Sequence, residues 1–144
     1  MRRLVLAAVL AGVALSSVSA AGDPIKERQA LLKEMGRATR PVGAMLKGDA
    51  SFDLATVQAA LDTYIKNAKQ LPNLFPPGSD KGGDTEALPV IWKRHDEFTA
   101  IYAKLERDAT AARAAITDEA SFKANFPGVV KNCSTCHDTF RQKK

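Results

Sequence analysis

The sequence predicts an all-α protein, an antiparallel up-down-up-down four-helix bundle. Four stretches repeat their apolar residues at spacings of three and four, the period of helices that each bury one face. No stretch alternates apolar and polar residues as a half-buried strand would. One short, one long and one very short connection join the four, which suits antiparallel neighbours in a single domain.

The first helix opens with Asp23 as N-cap and Pro24 at the first helical position, where a missing N–H costs nothing. Ile25, Arg28, Leu32, Met35, Thr39, Val42 and Leu46 share its inward stripe, and Lys47-Gly48 ends it. Pro41 lies inside and is expected to bend the helix or remove one hydrogen bond. The second opens near Ser51–Asp53 and turns Leu54, Val57, Leu61, Tyr64, Ala68 and Leu71 inward. Residues 72–84 form the long loop, whose prolines and glycines forbid regular helix.

The third helix starts around Thr85–Pro89 with the stripe Leu88, Ile91, His95, Phe98, Tyr102, Leu105, Ala109, Ala112 and Ile116. The fourth follows Thr117-Asp118 and aligns Phe122, Phe126, Val129, Cys133, Cys136 and Phe140, with Pro127 expected to kink or split it. Ahead of the bundle, Arg2-Arg3, an apolar run from Leu4 to Leu15 and small residues to Ala21 describe a secretory signal peptide. Residues 1–20 are expected to be cleaved, leaving 21–144 as the mature domain, exported to the periplasm. The apolar run falls short of the about 20 residues that span a bilayer, and no later segment is a candidate span. Losing Arg2 and Arg3 lowers the cations from 21 to 19 against 16 acids, so the mature charge is +3. That small excess in an exported protein argues against a nucleic-acid partner.

Cys133-Ser134-Thr135-Cys136-His137 carries the chemistry. Two cysteines one helical turn apart face the same way and can each add to one vinyl group of a porphyrin, while the adjacent histidine ligates its iron. This is the c-type haem attachment pattern, and it places one covalent haem c near the end of the C-terminal helix. A zinc site wants four ligands, a redox Cys-x-x-Cys belongs to a βαβ setting, and a plain disulfide gives no reason for His137.

The sixth iron position separates electron carriers from gas binders. His137 lies seven residues from the C-terminus, or about 10 Å along a helix. An equal depth from Pro24 falls at residues 31–32, and Leu32, which has no lone pair, would leave a five-coordinate iron under an apolar cap. Met35 lies on the same stripe roughly 5 Å deeper and is the alternative sixth ligand. His95 sits at similar depth on the third helix, where it could hydrogen-bond a propionate or ligate iron, but that helix should be diagonal to the first and His95 reads first as a half-buried side chain.

The chain resembles the cytochrome c′ family, the class II c-type cytochromes. The resemblance rests on Arg28-Gln29-Ala30-Leu31-Leu32, on Leu71-Pro72 with Phe75-Pro76 and Gly78, on Thr85-Glu86 with Ile91-Trp92 and Phe98, and on Cys133 through Arg141. It implies that Arg28 and Gln29 line the haem edge and that Glu86 contacts the haem from the long loop. It also implies that Leu32 is the apolar distal residue and that Arg141 modulates His137. The expected function is an exported haem protein with a pentacoordinate high-spin iron that transfers electrons, binds NO or CO, or both. The alternative is a low-spin carrier closed by Met35. A peroxidase-like enzyme would want an acid–base residue where Leu32 stands, so no enzymatic activity is expected. Small redox proteins are the expected partners, and the family implies a homodimer.

Overall fold

The computed structural model describes residues 22–143, so the signal segment and its cleavage site lie outside the described residues. Four long helices form the bundle: α1 (Pro24–Lys47), α2 (Leu54–Gln70), α4 (His95–Ala115) and α5 (Glu119–Phe140), with the single-turn α3 (Val90–Lys93) ahead of α4. Sequence neighbours pack on each other, α2 lies most extensively along α4, and α1 and α5 scarcely meet.

Local chemistry sets the helix ends. Asp23 Oδ1 accepts from the amides of Ile25 and Lys26, and Gly48 closes α1 at φ 82°, a left-handed position that suits glycine. Asp53 caps α2 through the Thr56 amide, and Asp118 forms a reciprocal capping box with Ser121 on α5. Both interior prolines are carried without splitting their helices. Pro41 and Pro127 sit on exposed faces, where water can take the carbonyl that a proline leaves unpaired.

The apolar stripes meet in one core. Val42, Val57, Leu61, Leu71, Ile91, Ile116, Phe122 and Phe126 are each at most 1% exposed. Phe98 touches three rings edge-on, Phe75, Tyr102 and Phe140, at centroid distances of 4.6, 5.2 and 5.3 Å. These are the T-shaped contacts that aromatic quadrupoles favour. At the other end Phe122 meets Phe52 and Phe126 at 5.5 and 5.3 Å. Tyr64 turns its hydroxyl to Thr39 Oγ1 at 2.7 Å, joining α2 to α1.

Several expectations need correction. The third helix begins at Val90 and breaks at Arg94, whose φ of −124° and ψ of 44° are not helical. That break shifts the helical phase, so His95 opens α4 as an exposed residue instead of continuing the stripe, which resumes at Phe98. Leu88 precedes the helix and is only partly buried. Leu71–Leu74 make one 3-10 turn, which Pro72 near its start tolerates. Leu54, the first residue of α2, is 36% exposed, and Leu32 is 39% exposed. At about 100° per residue, Leu32 stands about 60° around α1 from Met35, at the stripe's edge. Met35 itself is buried in the core.

Phe98→Ala is expected to cost about 3–5 kcal/mol, as for other large-to-small core changes. The measurement is the urea midpoint of the holoprotein.

Candidate haem site

The last turns of α5 carry Cys133, Cys136 and His137. Both thiols are free and partly buried. Burial pushes the Cys133 thiol up, and burial followed by the nearby Cys133 raises Cys136 to about 11. Both are therefore protonated at neutral pH. The charge of either thiolate would be felt at Tyr102 on α4, and that of Cys133 at Tyr64 on α2, so the sulfurs stand near the buried interior.

His137 lies beyond them, with Nδ1 3.4 Å from Arg141 Nη1. Arg141 is in turn held by Glu86, Nε to Oε2 at 3.0 Å. Desolvation and then the Arg141 cation hold the His137 imidazole below its ordinary value, which keeps it neutral as a metal ligand must be. Nε2 is the nitrogen turned away from Arg141; because a guanidinium only donates, Nδ1 accepts in this contact and Nε2 carries the proton of the neutral ring, so ligation through Nε2 would require the Nδ1–H tautomer. The backbone fixes this end of α5 as well. Leu88 N–H donates to Phe140 O at 3.0 Å and Gln142 N–H to Glu86 O at 2.8 Å, bracketing an antiparallel bridge between Ala87 and Arg141.

Arg28 organises the other side of the loop. It is 2% exposed, and its guanidinium donates through Nη1 to Leu74 O and Ser79 Oγ and through Nη2 to Ser79 O and Thr85 Oγ1, at 2.7–3.1 Å. The cation also lies 4.5 Å from the Phe75 ring centroid. Burial lowers its pKa, though a guanidinium remains charged. Gln29 Nε2 donates to Asp84 O at 3.0 Å. Thr85 and Glu86 are adjacent, so the loop joins Arg28 directly to the Glu86–Arg141–His137 group.

Of the residues expected at the site, the structure brings together Cys133, Cys136, His137, Arg141 and Glu86, with Arg28 and Gln29 one loop segment away. Leu32 lies on the flank of α1 away from α2, because Leu31 O and Glu34 accept from Asn67 of α2 on the other flank. Met35 is in the core and His95 is exposed at the start of α4. Sequence reasoning missed Ser79 and the Thr85 hydroxyl, whose roles depend on the folded path of the loop. Tyr102 was legible only as a core residue of the α4 stripe.

The donor set fits a covalently held haem. Two protonated thiols one turn apart, a neutral imidazole beside them and two helices that scarcely touch supply attachment points, an axial ligand and room between α1 and α5. Among the described residues no group of three or more His, Cys, Asp or Glu side chains suits a separate metal ion.

A family model described as Cytochrome C′ matches residues 23–141. The chain belongs to the cytochrome c′ family. It is 54% identical to cytochrome c′ of Rhodopseudomonas palustris over 122 residues, covering 85% of this chain and 84% of that protein. It is also 36% identical to cytochrome c-556 of Agrobacterium fabrum over 143 residues, covering 99% and 97%. The solved structure of the R. palustris cytochrome c′ superposes with a TM-score of 0.83 at 54% identity, covering 85% of this chain and 98% of that one. Cytochromes c′ carry a covalently bound haem c, and haem c is the cofactor of this chain.

Arg28→Ala is expected to destabilise the holoprotein by about 2–4 kcal/mol, because it strands buried acceptors as well as removing charged hydrogen bonds. Arg28→Lys should recover little of it, since an ammonium cannot reproduce the planar fork. Urea midpoints of the three proteins check this. A second expectation concerns the two tyrosines. Burial raises Tyr64 to about 12 and Tyr102 further, so unfolded phenols ionise before folded ones. The resulting stability is complete below the ordinary phenol value and is lost as pH rises towards the folded one. In an alkaline titration, tyrosinate absorbance should appear only with unfolding, and Tyr64→Phe should flatten the alkaline loss of stability.

Proposed function

We propose that this protein is an exported, periplasmic cytochrome c′ whose haem iron is pentacoordinate and high-spin, exchanging electrons and binding NO or CO. The observation that carries this reading is the split between Leu32 and Met35 on α1. Leu32 is 39% exposed on the flank of α1 away from α2, while Met35 is 8% exposed within the core. An apolar side chain without a lone pair is thus the better-placed neighbour of an iron held from α5, and the thioether is committed to packing.

When bound, haem c supplies an iron that gains or loses one electron and can take a diatomic ligand at an open axial position. Cys133 Sγ and Cys136 Sγ would hold the porphyrin as thioethers, and His137 Nε2 would be the axial ligand. Arg141, anchored by Glu86, places a positive charge beside the Nδ1 side of the His137 ring. Leu32 excludes water and offers no hydrogen bond, which favours NO and CO over O₂. Arg28 and Gln29 hold the loop that brings Glu86 to the site. Leu32 also offers no proton donor or acceptor, so the site is suited to carrying electrons and binding gases, not to acid–base catalysis. Export is supported by the charged start, the apolar run from Leu4 and the small residues up to Ala21. Association into a homodimer is part of the same reading; among similar structures, one cytochrome c′ is described as showing ligand-controlled dimer dissociation.

Absorption spectra of the oxidised and reduced holoprotein, with and without CO, test the proposal. A high-spin spectrum that shifts on adding CO is expected. Leu32→Ala should raise CO affinity about tenfold or more, the scale on which a few methylenes matter in an apolar pocket, and Met35→Leu should leave the spectrum unchanged. A low-spin spectrum indifferent to CO that becomes high-spin in Met35→Leu would overturn it in favour of a hexacoordinate carrier.

A further inference from the structure

The outer face of α1 is a run of unmatched cations. Lys26, Lys33, Arg37, Arg40 and Lys47 recur at spacings of seven, four, three and seven, and all five are exposed. At about 100° per residue they occupy an arc of about 80° that is about 30 Å long. Lys26 pairs with Asp23 at 3.7 Å, and Arg37 feels the nearby Glu34 carboxylate without pairing with it. Lys33, Arg37, Arg40 and Lys47 form no ion pair among the described residues. On the other helices most cations are paired, Lys66 with Glu34, Lys69 with Glu106, Lys104 with Asp108, Arg113 with Asp62 and Lys123 with Glu119, and the cations that form no ion pair, Lys93, Arg107 and Lys131, are spread one to a helix. Without the five cations of the α1 face, the mature chain's remaining 14 Lys and Arg face 16 Asp and Glu, so its net charge of +3 rests on this face.

The stripe has a definite position. The acids of α1, Glu27 and Glu34, lie on its α2 side, where Glu34 accepts from Lys66 and Asn67. The cations lie between those acids and the flank of Leu32 and Gly36, which is turned away from α2. They therefore border the gap in which the haem is placed by the reading above, on which this inference rests. Self-association across the stripe would set like charges against each other, so the homodimer of that reading would have to form through another face. A lipid surface is less suited to it, because no large apolar side chain lies among the cations to insert between acyl chains.

We propose that this α1 face is the docking surface for an acidic redox protein, steering it to the haem edge. Electron-transfer encounters bury little area and depend on complementary charge for their rate, which is what a flat, unpaired cationic face supplies. The step it promotes moves one electron from the reduced partner to the ferric haem, with no bond made or broken.

The test uses the full-length-expressed holoprotein and a reduced, acidic plant-type [2Fe–2S] ferredoxin as probe. Stopped-flow reduction should slow steeply with added salt. The triple variant Lys33→Glu, Arg37→Glu, Arg40→Glu should slow it at low salt by on the order of 10–100-fold and flatten the salt dependence. A control triple of equal charge change, Lys93→Glu, Arg107→Glu, Lys131→Glu, should have a much smaller effect. The uncharged lumiflavin semiquinone should reduce all three proteins alike. Independently, adding oxidised ferredoxin should shift backbone amide resonances of α1 at Lys26–Lys47 and not those of the control residues.

Equal slowing by both triples, or amide shifts centred elsewhere, would overturn the docking surface while normal reduction by lumiflavin left the haem reading standing. Unsteered ferredoxin reduction combined with stripe-dependent binding to phosphatidylglycerol vesicles would overturn it in favour of a membrane. A holoprotein that lumiflavin cannot reduce would overturn both readings.

Discussion

The buried Arg28 guanidinium is the interaction on which the site's geometry depends. Its four hydrogen bonds reach three segments of the long loop, at Leu74, Ser79 and Thr85, from a single point on α1. Burying a cation without a carboxylate is costly. Here the cost is offset by filled donors and by the face of Phe75 beneath it. The loop cannot leave α1 without giving up all four of those hydrogen bonds. Since Thr85 leads straight into Glu86, and Glu86 holds Arg141, the constraint passes from the first helix to the ring of His137 on the last.

The aromatic residues make this chain of contacts rigid. Phe75 beneath Arg28, Phe98 at the centre and Phe140 at the end of α5 form a continuous edge-to-face series. Trp92 adds Nε1 donation to the carbonyls of Phe75 and Pro76, tying the loop to α3. α5 thus ends against a packed wall, and its final turn is pinned on both sides by backbone hydrogen bonds to residues 86 and 88. A haem ligand at such a position has a support that a frayed terminus would lack.

Electrostatics divides the molecule in a similar way. Charges elsewhere on the bundle largely answer one another in surface pairs that contribute little stability each. The outer face of α1 is left positive, beside the flank where Leu32 stands. Packing against α2 engages Glu34 of α1 through Asn67 and Lys66, and Lys33, Arg37, Arg40 and Lys47 form no ion pair among the described residues.

The sequence by itself determined the helices, their caps and the attachment triple, because each is encoded within a few residues. Asp23 and Asp118 cap their own next turns, and Cys133, Cys136 and His137 derive their chemistry from spacing alone. It determined the order of the bundle too, through stripes that must be buried together. Only the tertiary structure decided what Arg28, Leu32 and His95 do. Arg28 reads as one residue of the inward stripe at the haem edge until residues 46 to 57 positions away fold over it. Leu32 reads as core until the helix is seen to pivot on Met35 and Val42, leaving it on the flank. His95 reads as part of a stripe until Arg94 breaks the helical phase just before it. Periodicity reports which face is apolar but not which neighbour covers it, and a polar side chain's partner is set by the path of a loop that periodicity does not describe.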